Sequence, residues 1–525
     1  MLIHLSFSSL TPSLHHTMTV DSLPDGIAEY SSSEKKYEKL LPQRVVLKFG
    51  GTSVGKFAQE IADVCLSSLS ENKIAIICSA RSGLSKAEGT TNRLLKASRE
   101  AAKPDSTKCD AIISQILHEH ISAIHFKSTE LAQRLERDMT TEFQKLNEFL
   151  AAIPKNGEVA AESEDKIVSV GEKLSAQFLA ALLEDHGVDS EYVDLSDVID
   201  FKVLHGLNQG FYQDLTQTIG RRIQLFGDKV PVVTGFFGRV PGGLLNKCGR
   251  GYSDLCAALV AVGLGAQELQ VWKEVSGVYT ADPRKVPTAR LLSSIHPSEA
   301  NELTFYGSEV IHHFTIEQCI PKIPIRIKNI LDPEGAGTVI FLDNREKTDP
   351  YHHQRPKRPT AVTVKQQITV VNVHSYRKVE SPEFLAEICK ILARWSLAVN
   401  LFELNECHVS LAVHSKTPFI KGAEVEDPDY LQTQHQDLAN AIQELKEYGA
   451  VDVVHNMAIL SLIGLQLKRS IGIAGRMFTA LGDNNINIEM ISQGASEINI
   501  SCVIAEGEAL RALNVVHTDL FTFLE

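Results

Sequence analysis

No apolar run in these 525 residues approaches the 18 or so that a membrane-crossing helix needs, so no such helix is expected. An excess of basic charge is missing too. The formal charge of −13 and a pI near 5.8 argue against a nucleic-acid-binding surface. The nine cysteines are odd in number and contain no C-x-x-C pair. Without a disulfide or zinc framework, the chain reads as reduced and cytoplasmic, with Cys65 and Cys78 as small core residues. The N-terminal stretch lacks the basic n-region of a signal peptide, since Lys35 is its first lysine or arginine. Serine-rich and proline-containing, residues 1–43 read as a flexible tail in which Met18 offers an alternative start. What remains is long enough for two to four domains with their own cores.

The most informative stretch that is present is VVLKFGGTSVG, Val45 to Gly55. Its apolar, partly β-branched start suits a strand buried on both faces of a parallel sheet. Gly50 and Gly51 then let the backbone turn and bring N–H groups against a ligand, a geometry that holds phosphate oxygens. Lys48 sits where an ammonium reaches a transferring phosphoryl group. A plain strand, turn and surface lysine account for the same residues, and both readings stand at this point. Gly50 to Lys56 also fits most of the Walker A pattern, but Phe57 occupies the place of the magnesium-binding hydroxyl, which excludes it.

From Arg44 to about Asn329, short apolar runs such as KIAIICSA and KVPVVTGFFG alternate with helix-like stretches such as SAQFLAALLEDHG. That alternation predicts a three-layer α/β domain with a mostly parallel sheet, its ligand at the carboxyl ends of the strands. Residues 97–165 read as a peripheral helical layer. DNREKTDPYHHQRPKRP then reads as a solvated linker in which His352 and His353 have no partner at metal-ligand spacing. Beyond Thr360, ITVVNVHS and AILSLIGL each open a strand–helix–strand unit, an internal repeat whose small members are expected to pair.

Four further clusters carry candidate chemistry. Ser79, Thr90 and Thr91 surround a Gly/Ser loop that suits a carboxylate or phosphate. Glu172 follows a glycine at an expected strand-to-helix junction, where it either favours the helix N-terminus or pairs with a substrate ammonium. GRGYSD places Arg250, Ser253 and Asp254 together; the latter two can cap a helix, whereas the Arg250 fork suits a carboxylate. KEVSGVYTADPR offers Tyr279, Asp282 and Arg284 on a turn, fit for gripping a nucleotide or simply for turning.

VVLKFGGTSVG, the GE of SVGEKLSAQ, GRGYSD, and VWKEVSGVYTADPR followed by FYGSEVIH together resemble the aspartate kinases of the amino-acid-kinase superfamily. The C-terminal repeat, with INIEMISQGASEINISCVI, looks like their pair of ACT modules. VWKEV and PIRIKN look closest to fungal members. The resemblance runs from about Arg44 to the C-terminus. It implies an amino-acid-kinase three-layer α/β/α fold over 44–340, a linker over 341–360, and ferredoxin-like ACT modules over 361–445 and 446–525, with no fused dehydrogenase.

The implied activity is transfer of the γ-phosphoryl of ATP to the side-chain carboxylate of L-aspartate, with Mg²⁺ accompanying the nucleotide. The resemblance assigns Lys48, Asp254 and Arg250 to catalysis, and Ser79, Thr91, Glu172, Arg250 and Ser253 to aspartate. It assigns Lys48, Gly50, Gly51, Lys273, Glu274, Tyr279 and Arg284 to the nucleotide, and implies no resident protein-held metal and a homo-oligomer. Two departures stand out. His312-His313 replaces the usual histidine-proline. LAVNLFELNECHVS places Asn400, Phe402, Glu403, Leu404 and Asn405 where the family commonly has an aspartate and small hydroxyl residues lining an effector pocket. Lost hydroxyls leave a polar ligand unpaired, so weak or absent feedback by threonine is expected, as in a paralogue feeding fungal secondary metabolism. Two rivals remain: an amino-acid kinase for glutamate, acetylglutamate or a nucleoside monophosphate, and an ACT-type sensor with an inactive kinase domain.

Overall fold

The computed structural model describes residues 43–522 except 84–87, 105–106, 156, 158, 201–205, 309–310, 321, 342–357, 377–381, 396, 405–407, 415–427, 466, 468–469 and 494–497. The expected tail, the His352-His353 linker segment and Asn405 therefore lie outside the described residues.

Strands β1 (Gln43–Phe49), β2 (Asn72–Cys78), β3 (Ser190–Val193), β4 (Val230–Thr234), β5 (Glu268–Lys273), β6 (Ser294–Ile295), β7 (Ile325–Asn329) and β8 (Thr338–Ile340) form one sheet in the order β3-β4-β2-β1-β5-β7-β8-β6. Every pairing is parallel except β7 with β8. The alternation along β1 shows why the strand reads as a continuous apolar run. Val46 joins the core beneath the Tyr252–Gly263 helix, while Val45, Leu47 and Phe49 join the opposite core under helices Ala58–Leu69 and Ala161–Asp185. Both faces are covered, so neither can be polar. The chain leaves β1 toward β2 on one side and returns as β5 on the other. This reversal opens a crevice at the carboxyl end of β1.

Glu172 is not at a strand-to-helix junction. It lies in the middle of the Ala161–Asp185 helix, whose residues from Ile167 to Gly171 are all buried. A helix covered on every side loses its polar stripe, and its apolar run then looks like a buried strand. VWKEVSGVYT, another apolar run in the sequence, is strand only as far as Lys273.

The second sheet has the order β10-β11-β9-β12-β14-β13, antiparallel throughout. It comprises β9 (Ala361–Ser375), β10 (Val399–Leu404), β11 (His408–His414), β12 (Gly449–Ile463), β13 (Met490–Ser492) and β14 (Asn499–Ala505). The two repeat units are interlocked. Residues 449–454 of β12 pair with the second half of β9, and residues 459–463 pair with its first half. Each 15-residue strand thus serves both units.

Helices Gln209–Gln224 and Tyr252–Gly263 cross where Gly220 and Gly263 meet. A Cβ on Gly220 would stand 2.4 Å from the Gly263 carbonyl oxygen. Alanine would normally gain about 1 kcal/mol in a helix interior. Here the clash is with backbone that cannot step aside, so Gly220→Ala is expected to destabilise by about 1–3 kcal/mol. An unchanged denaturation midpoint would show that the crossing tolerates a methyl group.

Candidate active site

Lys48, next to last in β1, is almost fully buried, and its Nζ lies 2.5 Å from Oδ1 of Asp254. Burial alone would raise the Asp254 carboxyl. The charges of Lys48 and Lys273 outweigh that effect and hold it below the ordinary value, as an anion. Desolvated charges persist only when paired, and Lys48 is the partner that Asp254 needs.

The chain then turns through Gly50 into the short helix Gly51–Lys56. The glycines here are needed for close approach, not for unusual torsions. A Cβ on Gly51 would lie 2.2 Å from the Ala80 carbonyl oxygen, and one on Gly55 would fall on that of Ser82. The loop 79–82 is laid flush against this helix: Ser82 N–H donates to Gly51 O at 2.9 Å, and the Arg81 guanidinium donates to Gly55 O at 3.3 Å. Nothing stands within 4 Å of the Gly50 Cβ position, so its backbone faces open space. Ser53, fully buried, donates to Glu274 Oε1 at 2.9 Å and ties the turn to the end of β5.

A cleft of about 170 Å³ opens beside the short helix, lined by Gly51, Ser79, Thr91, Glu172, Tyr252 and Ser253 among others. Ser79 and Ser253 share a hydrogen bond of 2.8 Å. Glu172 Oε1 accepts from the Tyr252 hydroxyl at 2.7 Å and from Ala80 N–H at 3.3 Å. Its other oxygen is buried with no partner. Burial drives this carboxyl up to about 7 against the pull of those donors. An orphaned carboxylate oxygen at a cleft wall is a place for an ammonium. Gly235 makes the approach of these groups possible, because a Cβ there would meet Ser253 Cβ at 2.7 Å and Glu172 Cγ at 3.4 Å.

The structure therefore brings Ser79, Thr91, Glu172 and Ser253 to one cleft, and Lys48, Gly50, Gly51, Asp254, Lys273 and Glu274 to the adjoining ends of β1 and β5. Thr90 is buried beside them. The Arg250 backbone falls in the turn Gly249–Gly251, and its side chain lies outside the described residues. Tyr279 and Arg284 stand apart from the cleft lining, on the turn after β5, where the exposed Arg284 guanidinium forks onto Asp282 at 3.0 Å. Tyr252, Ser53 and Arg81 were not singled out from sequence. Tyr252 sits inside GRGYSD and Ser53 inside GGTSVG, so motif membership was the available signal. The His312 ring packs so closely on Gly251 that a Cβ there would lie 2.3 Å from its Cδ2.

Among the described residues no three His, Cys, Asp or Glu side chains converge as a metal cage. Two carboxylates stand beside the glycine turn, Asp254 against Lys48 and Glu274 against Ser53. That fits a cation such as Mg²⁺, which takes one or two carboxylates and completes its shell with phosphate oxygens and water.

Folding should register Glu172. Between the ordinary carboxyl value of 4.5 and about 7, the folded protein holds a proton that the unfolded chain has released. Stability of the ligand-free protein should therefore fall as pH rises through that window, by about 3 kcal/mol at most. Glu172→Gln should flatten this slope in urea titrations between pH 5 and 7.5. A parallel slope in the variant would assign the effect elsewhere.

Residues 43–329 match the amino acid kinase family, and residues 460–520 match an ACT domain. The aspartokinase of Schizosaccharomyces pombe is 46% identical over 495 residues, spanning 91% of this chain and 92% of the relative. That of Saccharomyces cerevisiae is 46% identical, spanning 91% and 93%. Aspartate kinase FUB3 of Gibberella moniliformis is 43% identical, spanning 91% and 98%. The crystal structure of E. coli aspartokinase III in complex with aspartate and ADP superposes with a TM-score of 0.68 at 25% identity, covering 91% of this chain and all of that one. A second structure of the same enzyme, holding lysine and aspartate, gives 0.70. Kinase sheet, glycine turn, acid-lined cleft and ACT sheet all occur in one chain at this level of identity: the protein belongs to the aspartokinase family.

Proposed function

We infer that the chain transfers the γ-phosphoryl of ATP to the side-chain carboxylate of L-aspartate, giving 4-phospho-L-aspartate. The observation that carries the choice of acceptor is the unpartnered Glu172 oxygen in a cleft bearing the Ser79 and Ser253 hydroxyls. The aspartate and ADP held by the E. coli enzyme support the same pair of substrates.

The acceptor carboxylate is already ionised at neutral pH, so no general base is required. Catalysis then consists of positioning two anions and neutralising charge. Glu172 takes the α-ammonium, whose arrival returns the carboxyl to its anionic form. Ser79, Thr91 and Ser253 hold the carboxylates, and Arg250 clamps the α-carboxylate. Lys48, with the N–H groups of Gly50 and Gly51, meets the transferring phosphoryl. Asp254 keeps Lys48 aimed, and is the carboxylate that would hold Mg²⁺. When bound, that ion supplies positive charge to the phosphates. Lys273, Glu274, Tyr279 and Arg284 grip the nucleotide.

The ACT sheet is read as the regulatory part. Its edge strand β10 carries Phe402 and Leu404, which are 39% and 45% exposed, together with the exposed Glu403. Apolar bulk at these places supports weak or absent control by threonine. The terminal strands β10 and β13 of this sheet, and the tendency of ACT units to pair, support assembly as a homo-oligomer. The cytoplasm is the proposed site of action. Among the described residues no helix is long and apolar enough to cross a membrane.

The deciding assay is ATP-dependent aspartyl-hydroxamate formation, which should proceed with L-aspartate and change little as L-threonine is added. Inhibition by threonine would remove the relaxed-control reading. Product from glutamate alone, or nucleotide binding without turnover, would remove aspartate kinase activity itself. Lys48→Ala should lower turnover at least 100-fold. It should also cost about 3–5 kcal/mol by stranding Asp254. Lys48→Ala/Asp254→Asn should recover stability but not turnover, and recovered turnover would exclude Lys48 from the chemistry.

A further inference from the structure

The segment after β5 closes on itself before rejoining the sheet. Leu292 N–H donates to Val278 O at 2.8 Å, and Thr280 N–H to Arg290 O at 2.9 Å. Its tip belongs to no strand, so its position depends on what it stands upon. That support is the ACT sheet and its last helix. Val362 N–H donates to Thr280 O at 2.8 Å. Ala281 and Val286 are buried in one hydrophobic cluster with Val362, Leu460 and Val516.

At the centre of this contact lies His517, the last residue of the Ala509–His517 helix and fully buried. Its Nε2 is 2.9 Å from Thr280 Oγ1, and its Nδ1 is 3.3 Å from Thr288 Oγ1. The ring stacks on Phe521, with centroids 4.9 Å apart and planes 9° from parallel. Arg290 donates to the Phe521 carbonyl at 2.7 Å, closing the ring of contacts. Burial, helped by Arg290, lowers the imidazole pKa and favours the neutral ring. A neutral imidazole has one donor and one acceptor, and two hydroxyls, each able to play either part, match it. Two threonines eight residues apart on this turn are thus joined to one side chain from the far end of the chain.

We propose that His517 is a positioning residue for nucleotide binding: by holding Thr280 and Thr288 it fixes the turn that carries Tyr279 and Arg284. This rests on reading those two residues as nucleotide contacts. The aspartate cleft is lined by other segments, so loosening the turn should weaken ATP and spare aspartate. His517→Phe keeps the stack on Phe521 and removes both polar contacts, whereas His517→Gln can restore one of them.

In the full-length enzyme, His517→Phe should raise the KM for ATP about tenfold. The KM for aspartate should stay within about twofold, with ADP affinity by calorimetry falling in parallel and His517→Gln recovering most of the loss. Thr288→Val removes one contact from the kinase side without touching the C-terminal helix. It should give a smaller rise, about threefold, and it stands as the test if His517→Phe does not fold. Unchanged ATP affinity in a folded His517→Phe or in Thr288→Val would overturn the proposal, as would an equal rise in both KM values. Arg284→Ala separates the two levels. If it leaves the KM for ATP unchanged, the nucleotide role of the turn has failed. If it raises that KM while the His517 and Thr288 variants do not, only the role of His517 has failed.

Discussion

The buried contact between Lys48 and Asp254 is the constraint on which the rest of the site depends. It joins the end of a central strand to the first turn of the helix behind it, between two side chains that are both largely buried. The Asp254 carboxylate could not be held there alone, because burial opposes its ionisation. Together the two side chains leave a cation at the floor of the crevice. A reaction whose acceptor is already anionic needs that arrangement and little more. The sheet supplies the direction, since the strand order reverses at β1 and the opening falls at its carboxyl end.

A second arrangement complements the first. The glycine turn and the 79–82 loop are pressed together by contacts between backbones, which fixes their N–H and hydroxyl groups without side chains intervening. Glu172 is held from behind by Tyr252 and Ala80 and left open in front. One half of the crevice thus presents a glycine turn and a buried cation, and the other a carboxylate and hydroxyls.

Much of this was legible in the sequence because it depends on short contiguous motifs. β1, its glycine turn and GRGYSD each carry their own chemistry in a few residues, and the parallel sheet announced itself through apolar runs covered on both faces. Glu172 was found as a residue but placed in the wrong element, since a helix buried all round has no polar stripe to identify it. The gap between Arg284 and the cleft, and the partnership of Ser53 with Glu274, were not legible. They depend on contacts between segments more than 200 residues apart, which no local pattern encodes. His517 belongs to the same class: its partners are Thr280 and Thr288, and nothing around it in the chain points to them.

The interlocked strands β9 and β12 have a consequence for how such a chain can change. Each repeat unit borrows half a strand from the other's opening segment, so neither has a complete sheet of its own. A cut between the units would expose the unpaired backbone of both. The pair must fold, be inherited and be exchanged between proteins as one piece, and a bend introduced into either strand to accommodate a ligand on one side is delivered through continuous backbone to the other.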